Sequence, residues 1–180
     1  MARRYAALLA SVNVGRRRVP MAQLRELLDG LGYTQVQTYL ASGNAVFSTQ
    51  ESADDAAAKI TAALEKGFGF AIPTLVRDAA YLEAVIKACP FPADEVEGRF
   101  LHAVFHSEQV SEERFSDIDR AAFLPEEFRI GERVMYLHLP GGIGRSALAA
   151  ALVKPASRLR GVIATGRNWN TVKALAEMTG

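Results

Sequence analysis

Two glycine-punctuated segments late in the chain carry the side chains best suited to hold an anion. PGGIGRS (140–146) reads as a strand exit opening a helix, with Arg145 and Ser146 at its end. TGRNWN (165–170) sets Arg167, Asn168 and Asn170 around Trp169, the only tryptophan. A helix start exposes unpaired N–H groups and the positive end of the helix dipole, so donors placed there suit phosphate. The named phosphate motifs are excluded. Leu139 and Arg145 stand where a Walker loop needs glycine and lysine, and no acid lies about twenty residues on for a dinucleotide fold.

Part of the second segment has a purely structural explanation. Asn168 suits an N-cap, accepting from Asn170 or Thr171, and Trp169, Val172, Leu175 and Ala176 recur at helical spacing as an apolar face. Arg167 has no such explanation. Read as a helix N-terminus, its position disfavours a cation by up to about 1 kcal/mol unless a carboxylate or external anion intervenes. Charge-assisted contacts from Arg145 and Arg167 would contribute roughly 1.5–3 kcal/mol each. That limits free phosphate to weak binding and implies a larger, nucleotide-like ligand.

A second basic cluster gathers Asn13, Arg16, Arg17 and Arg18 with Ser42 and Asn44. Contact with RNA phosphates and a solvated loop are both open readings. Sequence-specific RNA reading needs stacking aromatics on central strands, and the first strand offers only Tyr5. Catalytic groups are few. His102 and His106 lie four apart on a strand, about 13 Å, too far to share a metal ion. Cys89 ends a helix before Pro90 and is not read as a nucleophile. His138 is the one side chain between 133 and 176 suited to general base work, and it alternates with Tyr136 and Val134 as a half-buried strand residue would. The expectation is therefore a binder of a phosphate-bearing small molecule. The alternatives are an enzyme acting on a phosphorylated metabolite with His138 as base, and a protein-interaction module that self-associates through charge. No metal and no cofactor is expected.

Charge is distributed unevenly along the chain. Residues 1–25 carry six Lys/Arg and no acid, residues 26–132 eight against nineteen, and residues 133–180 seven against one. A net charge of +1 thus conceals two basic ends and an acidic middle. At 180 residues, 49% hydrophobic and 23% charged, the chain can bury a core of its own. One cysteine excludes an intramolecular disulfide and fits a reducing compartment. The apolar run after Met1 is short and ends without a clear small-residue cleavage site, so it reads as a strand rather than a secretory signal. No run reaches the roughly 18 apolar residues of a membrane span.

These residues need elements to position them. RYAALLASV (4–12) predicts a central strand, PMAQLRELLDGLG a helix after Pro20, and QVQTYLA and AVFST a hairpin turning at Ser42–Asn44. A helix at 53–66, a strand at 71–77 and a helix at 78–88 follow. The Pro-rich acidic stretch 90–98 reads as a connector between halves 1–89 and 99–180. Beyond it come strand 99–106, helix 110–121, strands 127–130 and 133–139, helix 144–153, strand 161–165 and a last helix from 169. Both halves read βαββαβ, predicting an α+β fold of two ferredoxin-like units, the second with an extra C-terminal helix. In that topology the first strand's exit and the 41–44 hairpin share one sheet edge. The loops 140–146 and 165–170 share another, with their strands about 10 Å apart.

The stretch ALLASVNVGRRRVPMAQLRELLDGLGYTQVQTYLASGNAVF resembles the amino-terminal signature of bacterial domain-of-unknown-function family 1697, and ATGRNWNTVKAL resembles its carboxy-terminal signature. The resemblance implies this fold and a cytoplasmic setting, and no activity. The chain departs from the family pattern at Ala10 and Ser11, where Arg-Gly is usual, at Arg16 for glycine, and at Ala41 for glutamine. Any ligand chemistry that relatives carry in that first loop is altered here.

Overall fold

A computed structural model describes residues 1–11, 17–40 and 42–180. The chain divides into two compact units, Met1–Glu83 with Leu175–Gly180, and Ala84–Ala174. The fold is α+β, with one four-stranded antiparallel sheet in each unit.

In the first unit, β1 (Arg3–Leu9) lies between β3 (Asn44–Thr49) and β4 (Thr74–Asp78), and β2 (Thr34–Thr38) pairs with β3 at the edge. The order β2-β3-β1-β4 is that of a split βαβ fold. Helices α1 (Met21–Gly30) and α2 (Ala53–Phe68) cover one face. Ser52 caps α2 by accepting from the Asp55 amide at 3.1 Å, and Asp54 and Asp55 complement the dipole of the first turn. Gly69 ends the helix at φ +79°, a conformation that side chains with a Cβ resist. Ala56, Ile60 and Leu64 recur every four residues and meet Tyr5, Ala7, Leu9 and Phe47 in the core. A fully buried side chain such as Leu24 or Phe47 contributes roughly 1.5–3 kcal/mol. The alternate residues Ala6, Leu8, Val46 and Arg77 are buried as well. A strand buried on both faces explains why its sequence reads as a continuous apolar run rather than an alternation.

The second unit repeats the order as β6-β7-β5-β8, with β5 (Leu101–His106), β6 (Glu127–Gly131), β7 (Val134–His138) and β8 (Ala164–Asn168). Its core gathers Phe115, Phe128, Met135, Leu137, Leu148 and Leu152, with the rings of Phe115 and Phe128 5.6 Å apart. Helix α3 (Ala79–Lys87) follows β4, and α5 (Trp169–Thr179) follows β8. The expected C-terminal helix therefore has a counterpart after the first sheet.

Several local expectations are corrected. Residues 110–121 form 3-10 turns at Glu112–Phe115 and Arg120–Phe123 rather than a helix. Ser116, Asp117 and Asp119 favour local turn bonding, and the Asp117 carboxylate takes the Arg158 guanidinium in a bidentate pair at 2.5 and 2.8 Å. The helix expected at 144–153 is a 3-10 turn, Ile143–Arg145, followed by the six-residue α4 (Ala147–Leu152). The last strand lies at 164–168 rather than 161–165, which places Arg167 inside β8.

Candidate functional site

The second sheet brings the two late segments to one edge. His138 pairs with Leu101 and Asn168 with His102, so the exits of β7 and β8 flank the entry of β5. That entry occupies the space between them. The Leu139 amide donates to the Phe100 carbonyl at 2.8 Å, and a Cβ at Gly98 would collide with the carboxamide of Asn170. The shared edge is present, with residues 98–100 interposed between the loops.

Most donors assigned to this edge have structural work. The Ser146 hydroxyl caps α4, accepting from the Ala149 amide at 2.9 Å. The Glu126 carboxylate accepts from Leu148 N–H at 3.1 Å and supplies negative charge to the same helix start. Asn168 is the N-cap of α5, with Oδ1 3.0 Å from the Thr171 amide. Trp169, Val172 and Leu175 are buried, as the helical spacing required. Arg167 departs from its expected setting. It lies within a strand, is 6% exposed, and donates to Thr165 Oγ1 at 2.6 Å and the Gly166 carbonyl at 2.8 Å. Burial pulls its pKa down to about 10. Arg145 and Asn170 are the exposed members of the set. His138 is half-buried, its ring 5.5 Å from that of Phe91.

The first sheet presents a different edge. Leu9 N–H donates to Gly43 O at 2.9 Å and Ala10 N–H to Pro73 O at 2.8 Å. The exit of β1, the 42–44 turn and the entry of β4 therefore meet. Asn44 is fully buried and donates to Tyr39 O and Ser42 Oγ, so it locks the turn rather than facing a ligand. Arg17, Arg18 and Ser42 are exposed. The Arg17 guanidinium lies 5.9 Å from the Phe70 ring centroid, a cation–π contact that ties it to the entry of β4. Asn13 and Arg16 lie outside the described residues.

Two features carried no motif that pointed to them. Arg77 in β4 is buried like Arg167, and Arg158 is buried and hydrogen-bonded to the Lys154 and Arg114 carbonyls as well as to Asp117. The repeated pairs Arg77-Asp78 and Arg167-Asn168, each preceding a helix, were the available signal for the first. Nothing local marks a partner 41 residues away for the second. Among the described residues, no three His, Cys, Asp or Glu gather to hold a metal ion, and no helix is long and apolar enough to cross a membrane.

The fold defines a class: an α+β chain built from two split-βαβ sheets, each with a helix after its last strand. The chain belongs to the family described as "Protein of unknown function (DUF1697)", which matches residues 2–136. Among solved structures it is similar to the conserved bacterial protein SP0830 from Streptococcus pneumoniae. The TM-score is 0.78 at 21% identity over 100% of both chains, a likeness of fold. No curated protein matches.

Proposed function

We propose that this chain binds an anionic, phosphate-bearing small molecule, and that the basic edge of the first sheet is the contact surface. What supports this reading is the meeting of the β1 exit with the 42–44 turn and the β4 entry, with Arg17 against Phe70 beside that entry and with Arg17, Arg18 and Ser42 exposed. Arg17 and Arg18 lie in a block of 25 residues without an acid. The later edge offers less, because Arg167 is buried and Ser146 and Asn168 are engaged as caps. The proposed setting is the bacterial cytoplasm, on the family resemblance and the single cysteine.

Calorimetric titration with adenosine monophosphate, ribose 5-phosphate and inorganic phosphate tests the reading. Replacing Arg17 and Arg18 together by alanine is expected to weaken the tightest of these at least tenfold, the loss of one charge-assisted contact or more. Arg145→Ala is expected to leave it unchanged. Equal affinity in wild type and the double variant would refute the assignment. An RNA oligonucleotide that binds with a steep salt dependence while the mononucleotides do not would move the ligand class to nucleic acid.

A further inference from the structure

The segment read from sequence as a connector forms the wall of a cleft. Its volume is about 380 Å3, within the roughly 300–1,000 Å3 of small-molecule sites. Ile86 from α3, Cys89, Phe91, Asp94 and Glu95 from the loop that follows it, and Trp169 and Lys173 from α5 line it.

The loop wall is held in place. Ala93 N–H donates to Phe91 O at 2.8 Å and Glu95 N–H to Pro92 O at 2.9 Å, closing two tight turns. Phe91 anchors them: it is buried, with its ring 5.5 Å from His138 on one side and 5.7 Å from the Arg129 guanidinium on another. On α5, Trp169 and Lys173 are four residues apart and share a face. The cleft thus has an aromatic and aliphatic floor, an exposed acidic pair on the loop side and an exposed ammonium on the helix side.

We infer that this cleft binds an amphoteric small molecule with the chemistry of a free apolar amino acid or short apolar peptide. The ligand's ammonium faces Asp94 and Glu95, its carboxylate faces Lys173, and its apolar body lies on Phe91, Ile86 and Trp169. A lone anion would meet two carboxylates for one ammonium. A purely apolar ligand would leave the three exposed charges at the rim to solvent and make no use of them. The amphoteric ligand satisfies both ends and the floor.

The site contains the chain's only tryptophan and only cysteine, which provide two independent readouts. Titrate L-leucine and the dipeptide Leu-Gly while following Trp169 emission and the rate of Cys89 alkylation, with N-acetyl-L-leucine and L-leucinamide as single-charge controls. Leucine or Leu-Gly is expected to shift the emission and slow alkylation, and loss of either charged end to weaken the effect about tenfold or more. Asp94→Asn with Glu95→Gln should erase the difference between leucine and its N-acetyl form. Lys173→Met should erase that between leucine and its amide. All three side chains are exposed, so these variants fold. The inference is overturned if neither zwitterion changes either signal, if the controls act as well as leucine, or if phosphate protects Cys89 equally. Arg17→Ala leaves these readouts untouched, so this site and the basic edge stand or fall separately.

Discussion

Two strand-to-helix junctions, β4 into α3 and β8 into α5, are built alike from different sequences. Arg77 pairs with Ala6 and Arg167 with Ala103 at the same register step, two residues before the helix begins. Each arginine is 6% exposed and donates to the carbonyl of the residue before it, at 3.1 Å for Arg77 and 2.8 Å for Arg167. An Asx residue then caps the helix: Asp78 accepts from the Tyr81 amide at 2.8 Å, Asn168 from Thr171 at 3.0 Å. The differences lie around this frame. Arg77 stands 5.1 Å from the Tyr81 ring centroid, whereas Arg167 donates to Thr165 Oγ1. Helix α3 opens on Ala79, α5 on the buried Trp169. A buried arginine before an Asx cap is therefore a property of the junction in both units, and Arg167 owes its place to architecture rather than to one ligand.

The sharpest way to separate the junctions is at the residue that differs most. Trp169→Ala is expected to cost about 3–5 kcal/mol in chemical denaturation, since it empties a buried aromatic site. A cost below about 1 kcal/mol would mean that the two helix starts need the same packing. Next in size, Arg77→Ala and Arg167→Ala are each expected to destabilise by about 2–3 kcal/mol, because a buried donor network is lost and acceptors are left behind. The equivalence predicts similar values at the two sites. A large loss at one and none at the other would break it.

The smallest expected effect concerns the equivalent slot in β1 and β5. Tyr5 precedes Ala6 and reaches the Glu51 carbonyl at 3.0 Å, whereas His102 precedes Ala103 and is buried with Nδ1 lacking a hydrogen-bond partner. Burial lowers the His102 pKa from its usual 6.5. The unfolded chain then takes up the proton first, so the associated stability is intact above about pH 6.5. It declines as pH falls from there toward the folded value. In wild type the midpoint of thermal unfolding should fall over that window more than in His102→Phe. Parallel profiles would show that this histidine does not carry the acid sensitivity.

What the sequence made legible follows the range of the interactions. The strand β1, read from the apolar run 4–12 and formed by Arg3–Leu9, the α1 stripe with Leu24 and Leu28, and the Asn168 cap are set by neighbours within a few residues, and periodicity or residue type finds them. Asp117 leaves a helical pattern for Arg158, a partner 41 positions away, and only the turn-favouring Ser116, Asp117 and Asp119 spoke locally against the helix at 110–121. Arg167 was read as a cation at a helix start because a three-residue shift of the strand, from 161–165 to 164–168, decides whether it is in the sheet, and burial is a property of the assembled fold. The stretch 90–98 was read as a Pro-rich acidic connector between two halves. Its role as a cleft wall depends on Trp169, which lies far along the chain.

The six residues Leu175–Gly180 belong to the first unit, and the Met178 carbonyl accepts from Arg4 Nε at 2.7 Å. Arg4 also donates to the Gln35 carbonyl at 3.1 Å, tying the start of β1 to β2 and to that late segment at once. A ribosome delivers the chain N-terminus first. The unit that emerges earliest therefore receives Leu175–Gly180 only after all of Ala84–Ala174 has been synthesised. The bond between Arg4 and the Met178 carbonyl therefore forms only after the second unit has been made, and a stop before residue 175 removes a contact of the half made first.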